Sequence, residues 1–371
     1  MVQSFCFVGD PGSCKLDMLH VIRDAGLEPM RVKGSGDAIA DLCEERPMAI
    51  AIGSEVEDRS GLMATVRQHR ALDPVPLLAC LDLQTPKEVE KAFADGADDY
   101  LITEERDQLS TLVEVLLKSD IWNIVRAPAG MVVLAESRRE ERIRLGHVLR
   151  RNGFDIHYAS NVTELEKAVT ELEPRAIVAS VDLPGNSILA TMHKAAAVPD
   201  SAPWILLDPG LQERQLSGAD LLSSTAVLRI DDDAERLTFL MNELLTPAPP
   251  MARRTPRLLY GTPVTYKATV SGKLFNGYSY NVNHGGVFIR SLTPLPRQTL
   301  IQMRFRPPFG LGEVAGLAQV MWVRGFAESN GAASPPGMGV QFVDWDVADK
   351  AGYEAGYKSL LEQHERGLPL H

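Results

Sequence analysis

The sequence predicts a multidomain protein in which two doubly wound α/β domains precede an all-β, six-stranded barrel with a C-terminal helix. Before residue 246, strand-length apolar runs alternate with amphipathic helical stretches, which is typical of a parallel sheet with helices on both faces. This alternation is repeated after about 127 residues, which indicates two copies of one fold. After a proline-rich segment the strands follow one another directly, as they do in small barrels.

The repeat defines the predicted domain boundaries. Each copy holds about five strand candidates, the number expected for a flavodoxin-like domain. The boundaries are 1–121 and 129–245 for the α/β domains, 246–256 for the linker and 257–371 for the barrel with its helix. The matching apolar segments are Phe5–Asp10 with Val132–Ser137, Met48–Ser54 with Ala176–Val181, and Val75–Leu81 with Ala202–Asp208.

Composition excludes several classes of protein. The chain has 371 residues, of which 45% are hydrophobic and 23% charged, as in globular rather than disordered proteins. Its apolar runs are far shorter than the 18 or more residues of a membrane-spanning helix. A signal peptide has Lys or Arg before its apolar stretch, and here neither precedes the N-terminal apolar stretch. We therefore expect a cytoplasmic protein with no membrane span.

Cysteine, histidine and charge patterns bear on ligands. None of the four cysteines forms a C-x-x-C pair and the eight histidines are scattered, so no metal site and no disulfide framework is expected. Residues 251–371 carry 13 Lys and Arg against 8 Asp and Glu, whereas the rest of the chain is strongly acidic. An anionic ligand is therefore expected at the C-terminal end.

The first α/β copy resembles response-regulator receiver domains at Ala92–Leu101 (AFADGADDYL) and Gly61. The resemblance implies phosphorylation of one aspartate, aided by an acidic pair, a Thr or Ser and a Lys. An acyl phosphate needs a carboxylate nucleophile and a divalent cation. The phosphoacceptor positions hold Gly53 and Ser180, so neither copy is expected to accept phosphate. The other aligned positions are Gly9 and Asp10, Leu81 and Thr103 in the first copy, and Ala135 and Glu136, Asp208, and Ile230 or Arg229 in the second.

The two degenerate copies are interpreted as protein-interaction modules, because the surfaces around such sheets commonly serve for docking. Two alternatives remain open at this point. The copies are structural spacers without a specific partner, or a partner reads Ser180 or Ser54 after modification. The identity of the partner and the formation of a homodimer are also left open.

The barrel is predicted from six successive strands and a helix at Asp349–Arg366, whose Tyr353, Tyr357, Leu360 and Leu361 have the spacing of a packed helix face. Phe288, Phe305 and Trp322 alternate along strands as barrel core residues do. The strands are Thr262–Val270, Ser279–Val282, Gly286–Ser291, Thr299–Phe305, Val314–Arg324 and Gly337–Val343.

Two motifs flank the first strands. One is Arg253-Arg254-Thr255-Pro256-Arg257, and the other is Asn281-Val282-Asn283-His284-Gly285-Gly286. Together they resemble the PilZ domain, whose pattern is R-x-x-x-R followed roughly two dozen residues later by [DN]-x-S-x-x-G. The resemblance covers Met251–Glu365 and departs from the pattern at Asn283, where the family has serine.

The PilZ resemblance implies a receptor for cyclic di-GMP, with no other cofactor. Arginines can form forked hydrogen bonds to guanine and phosphate and can stack on bases. By resemblance, Arg253 and Arg257 take this part and Arg254 adds charge, while Asn281 bonds a guanine edge and Gly286 allows close approach of the backbone. Asn283 is expected to weaken binding, because it cannot reproduce the hydrogen bond of a serine hydroxyl.

The sequence therefore predicts a non-enzymatic bacterial signalling protein that binds cyclic di-GMP and responds by altered protein contacts. By resemblance, the process regulated is motility, surface attachment or exopolysaccharide production. The alternative is a PilZ protein that has lost nucleotide binding and acts as an adaptor in motility or cell polarity. An enzyme is disfavoured because no clustered catalytic residues stand out, and nucleic-acid binding because the C-terminal region has no basic stripe.

Overall fold

The computed structural model places ten helices and seventeen strands within the described residues. No described helix combines the length and the apolar character needed to cross a membrane. The structure describes residues 3–9, 16–34, 37–69, 71–72, 74–82, 85–102, 106–118, 129–198, 201–208, 225–229, 234–245, 255–310, 312–326 and 335–365.

The first α/β region is a five-stranded parallel sheet in the order β2-β1-β3-β4-β5. Its central strands are continuous apolar runs buried on both faces, as expected for a sheet that is covered by helices on each side. The elements are β1 (Ser4–Val8), α1 (Leu16–Asp24), β2 (Glu28–Val32), α2 (Ala38–Glu45), β3 (Ala49–Ile52), α3 (Arg59–Gln68), β4 (Leu77–Leu81), α4 (Pro86–Ala94), β5 (Asp99–Ile102) and α5 (Arg106–Leu117).

The second α/β region has the same topology, with its sheet in the order β10-β9-β8-β6-β7. The predicted repeat is thus confirmed, because the matched segments form β1 and β6, β3 and β8, and β4 and β9 at equivalent places in the two sheets. The elements are β6 (Met131–Ala135), α6 (Arg139–Arg151), β7 (Asp155–Ala159), α7 (Val162–Leu172), β8 (Ala176–Ser180), α8 (Ile188–Ala196), β9 (Trp204–Asp208), β10 (Thr225–Arg229) and α9 (Ala234–Leu245).

The C-terminal region is an antiparallel barrel that closes through the β13–β14 pairing. Six strands form the ring in the order β13-β12-β15-β16-β17-β14, and the two-residue β11 adds to the edge of β13. The elements are β11 (Leu258–Leu259), β12 (Pro263–Ala268), β13 (Leu274–Asn283), β14 (Gly286–Arg290), β15 (Leu300–Phe305), β16 (Val314–Arg324), β17 (Gly337–Trp345) and α10 (Val347–Glu365).

The barrel differs from the sequence prediction in two strands and in one helix position. β13 begins at Leu274, five residues before the predicted Ser279, and β11 was not expected at all. The early part of β13 contains an Asn-Gly pair that is typical of turns, yet Gly277 pairs with Val264 of β12. In α10, Tyr353, Tyr357 and Leu360 are buried as predicted, whereas Leu361 is only half-buried.

The described residues divide into two compact units. One unit contains the first α/β region together with the barrel, within residues 1–124, 255–329 and 335–361, and the other contains the second α/β region. Within the first unit, Leu292 and Phe326 of the barrel region belong to the same buried cluster as Phe5, Met18 and Leu109 of the first α/β region. The barrel and the first α/β region therefore share a hydrophobic core.

Candidate functional site

A continuous row of residues crosses the barrel wall from β11 to β16. Strand register places Leu259 opposite Asn281, Asn281 opposite Phe288, Phe288 opposite Gly339, and Gly339 opposite Trp322. Side chains that are directly opposite in an antiparallel sheet point to the same face. The row therefore brings one of the predicted ligand residues, Asn281, onto the same sheet face as two aromatic rings.

The two rings of this row are stacked across β17. The centroids of Phe288 and Trp322 lie 4.9 Å apart with an interplanar angle of 17°. Gly339 of β17 pairs with Phe288 on one side and with Trp322 on the other. A Cβ atom on this glycine would collide with the Trp322 indole. Phe288 is buried, as predicted for a core residue, whereas Trp322 is only partly buried. The missing side chain at Gly339 thus allows the indole to lie flat across the strand with its ring partly accessible.

Two guanidinium groups converge on the stacked rings. The Cζ atom of Arg257 lies 5.9 Å from the Trp322 ring centroid. Arg324, two residues after Trp322 on β16, lies 5.2 Å from the same centroid and 5.8 Å from that of Phe288. All three distances are within the range of cation–π attraction. We call Arg257, Asn281, Phe288, Trp322 and Arg324 the arginine–aromatic face.

The β13–β14 turn uses the side chain of Asn283 internally. Its Oδ1 accepts a hydrogen bond of 2.9 Å from the backbone N–H of Gly285, and its carbonyl oxygen accepts one of 2.6 Å from the Tyr353 hydroxyl. The asparagine thus closes the turn in the way that Asx turns do. This local function explains how the residue that departs from the PilZ pattern is accommodated.

Gly286 has a structural requirement of its own. A Cβ atom at this position would collide with the carbonyl oxygen of Val340 on the neighbouring strand β17. The glycine therefore lets β14 and β17 pair closely, in addition to the ligand approach that was predicted for it.

The structure brings together part of the predicted site. It places Arg257 and Asn281 on the arginine–aromatic face and Asn283 and Gly286 at the turn that follows. Arg253 and Arg254 lie outside the described residues. Trp322 was predicted only as core and Arg324 was not considered. Their spacing of two residues on a strand, which directs both side chains to one face, was the signal that could have found them.

The phosphoacceptor position of the first α/β region holds no nucleophile. Gly53 follows β3 and donates its N–H to the carbonyl oxygen of Val8 at 2.9 Å. A Cβ atom on Gly53 would collide with the carboxylate of Glu55. The next residue, Ser54, donates its hydroxyl to Asp82 at 2.9 Å.

The equivalent corner of the second region is occupied by a guanidinium. Arg138 donates from Nε and Nη2 to the fully buried carboxylate of Glu136 at 2.9 and 3.0 Å, and from Nη2 to the Ser180 hydroxyl at 3.2 Å. Ser180 donates in turn to Asp182, which lies 3.6 Å from Arg138 Nη2. Hydrogen bonding to Glu136 raises the pKa of Arg138. The chain thus supplies its own cation at this corner. Among the described residues, no cluster of His, Cys, Asp and Glu could hold a metal ion.

A family model and several solved structures are each similar to a part of the chain. Residues 252–356 match the model of the PilZ domain family. No curated protein matches the chain. Solved structures that are similar to it include a protein named as a two-component system response regulator/GGDEF domain protein, with 16% identity over 66% of this chain and 100% of that one, and a TM-score of 0.34.

Two further solved structures are similar to shorter parts of the chain. The receiver domain of a sensor histidine kinase from Pseudomonas aeruginosa is 14% identical over 31% of this chain and 97% of that one, with a TM-score of 0.29. The Bacillus subtilis inhibitor of motility is 14% identical over 30% of this chain and 53% of that one, with a TM-score of 0.25.

The family match and the observed fold lead to the same assignment for the C-terminal region. The match covers every strand of the closed barrel and about half of α10. Both preceding sheets have the 2-1-3-4-5 strand order of the flavodoxin-like fold, which receiver domains share. Residues 252–356 therefore form a PilZ domain, a member of a family of cyclic di-GMP-binding signalling effectors, and it follows two receiver-like α/β regions.

Proposed function

We propose that this protein is a non-enzymatic, cytoplasmic signalling effector that binds cyclic di-GMP on its PilZ domain and transmits the signal through altered protein contacts. The observation that supports this proposal best is the arginine–aromatic face, where two guanidinium groups lie over a partly exposed indole that stands in one row with Asn281. By its family, the process that it regulates is motility, surface attachment or exopolysaccharide production.

The chemistry of this face suits the ligand. Cyclic di-GMP carries two guanines and two phosphates, so it needs flat surfaces for stacking, forked donors for guanine O6 and N7, and positive charge for phosphate. Trp322 offers the flat surface, and Arg257 and Arg324 offer donors and charge. Asn281 offers an amide that can bond to a guanine edge. Arg253 and Arg254 would add to the positive charge from the segment before Thr255.

A second candidate function is an adaptor that has lost nucleotide binding. The observation in its favour is Asn283, which stands where the PilZ pattern has serine and whose carboxamide oxygen is engaged by the N–H of Gly285. In this case the two receiver-like regions would supply the docking surfaces and the barrel would serve as a further one.

Calorimetric titration of the full chain with cyclic di-GMP tests the two candidates. We expect saturable binding that is lost when Arg253→Ala is combined with Arg257→Ala. The matched control is Arg304→Ala, on β15, which lies opposite β14 in the ring of six strands. It removes one positive charge from a strand away from the arginine–aromatic face and should leave binding unchanged.

Cyclic di-AMP serves as a control ligand, because it keeps both phosphates and lacks guanine O6. It should bind much more weakly if the arginines recognise guanine. Absence of heat and of thermal stabilisation at high micromolar cyclic di-GMP would refute the receptor function, and the adaptor function would then be pursued through partners.

A further inference from the structure

Strand β14 leads from the arginine–aromatic face directly into the contact with the first α/β region. Phe288 lies on the face, and the residues that follow β14, Ser291 and Leu292, bind Asp99 of β5. The Asp99 carboxylate accepts hydrogen bonds of 2.7 Å from the Leu292 N–H and 3.1 Å from the Ser291 hydroxyl. Asp99 is only 6% exposed, so this contact is shielded from water.

Strand β16 also leads from the arginine–aromatic face to the first α/β region, in this case through a packed side chain. Trp322 and Arg324 belong to the face, and Phe326, two residues further on, is buried in the core of the first α/β region. In that core it joins a cluster that includes Phe5 and Leu109. Phe326 follows the last residue of β16 by two positions, so at most about 7 Å of chain separates the core residue from Arg324 of the face.

Further contacts at this interface involve α4 and β13. Arg290 at the end of β14 lies 5.2 Å from the ring centroid of Phe93 on α4, and Phe93 stacks on Tyr278 of β13 with centroids 5.0 Å apart. The Tyr100 hydroxyl donates to the carbonyl oxygen of Asn276 at 2.8 Å. The interface is thus specific in hydrogen bonding as well as in packing.

We propose that the first α/β region is a structural part of the nucleotide receptor, in which Asp99 and Phe326 position strands β14 and β16 and thereby set the affinity of the arginine–aromatic face. This inference rests on the proposed function. The stacked pair spans β17 between these two strands, so a shift of either strand changes the spacing of the rings and of the guanidinium groups above them. A ligand that binds better at one spacing therefore also favours one arrangement of the interface. In return, the arrangement of the interface changes the affinity for the ligand.

The test uses the full chain, with cyclic di-GMP affinity measured by calorimetry well below the unfolding temperature. Asp99→Ala should weaken binding about 10-fold, within the usual range of coupling between sites. Ser291→Ala removes the hydroxyl that donates to Asp99 and accepts from the Thr293 N–H, and it should weaken binding about threefold. Tyr100→Phe is the control, because it removes the bond of the same interface to the Asn276 carbonyl on β13 and leaves the contacts that follow β14 and β16 in place. Its dissociation constant should equal that of the unaltered chain.

The outcomes separate this inference from the function on which it rests. A purely structural role lowers the unfolding temperature without changing the dissociation constant of the folded protein. If the unaltered chain binds and both Asp99→Ala and Ser291→Ala bind equally well, the positioning role is refuted and the receptor function stands. An equal loss of affinity in Tyr100→Phe would also refute it, because strand β14 would then have no special part. Absence of binding by the unaltered chain overturns both proposals.

Discussion

Replacing Asp99 by asparagine should change how stability depends on pH. Burial between the first α/β region and the barrel raises the pKa of Asp99 to about 6 from an ordinary value of 3.8, and the nearby charge of Asp98 acts in the same direction. The hydrogen bonds from Leu292, Tyr100 and Ser291 favour the charged form and offset this only in part. The folded protein therefore holds this proton more tightly than the unfolded chain does.

The sign and the size of the effect follow from linkage. The stabilisation by protonated Asp99 is fully present below about pH 4 and is lost as the pH rises through about 6. A shift of about two pKa units corresponds to roughly 3 kcal/mol. Asparagine has nearly the same shape and does not titrate. The free energy of unfolding of the unaltered chain, relative to Asp99→Asn, should thus decrease by about 3 kcal/mol between pH 4 and pH 7.

Urea unfolding followed by circular dichroism at each pH measures this difference. The transition to analyse is that of the compact unit that contains Asp99, and all other titrating groups cancel because they are common to both proteins. If the difference in the free energy of unfolding between the two proteins does not vary with pH, the Asp99 carboxylate is hydrated in the folded protein. A difference that increases with pH would show that favourable bonds to the charged form outweigh burial, and either result would refute the reasoning.

Three further predictions concern the barrel and the second α/β region. Trp322→Ala should weaken cyclic di-GMP binding by about 5- to 150-fold in calorimetry, since stacking contributes about 1–3 kcal/mol per base, and an unchanged dissociation constant would exclude the ring from the site. Gly286→Ala should lower the free energy of unfolding by about 1–3 kcal/mol through a backbone clash, whereas Gly285→Ala, whose nearest atom lies 3.8 Å away, should have little effect in the same urea assay. Arg138→Met leaves a buried carboxylate without its forked donor and should cost about 3 kcal/mol, whereas Arg144→Met breaks a partly exposed helix pair and should cost about 0.5 kcal/mol. Equal effects in urea unfolding would contradict the buried pairing.

The class and order of the domains could be predicted because they depend on local patterns. Continuous apolar runs such as Ala176–Ser180 occur where a strand is buried on both faces. Their recurrence along the chain indicates the second copy of the sheet. The alternation along Leu300–Phe305 likewise reports a strand with one face in the barrel core. These signals need only neighbouring residues, so the sequence contains them in full.

Strand ends and site residues were less predictable because they depend on partners in other strands. Asn276 and Gly277 have turn-like chemistry, but β12 offers them a pairing edge and they lie within β13. Trp322 has the pattern of a core residue, but the bare Cα of Gly339 on the adjacent strand lets its ring lie partly exposed beside Arg257. In both cases the decisive neighbour is distant in sequence.

The sequence by itself determined two receiver-like sheets, a barrel and the residues that mark a PilZ domain. Only the tertiary structure decided that the barrel shares a core with the first of the two sheets, and that Asp99 is buried there by residues 192 and 193 positions away. Residue type and periodicity show that a surface is apolar or that a carboxylate is present. Which distant surface covers it depends on shape and hydrogen-bond complementarity between folded elements, and these exist only once the chain has folded.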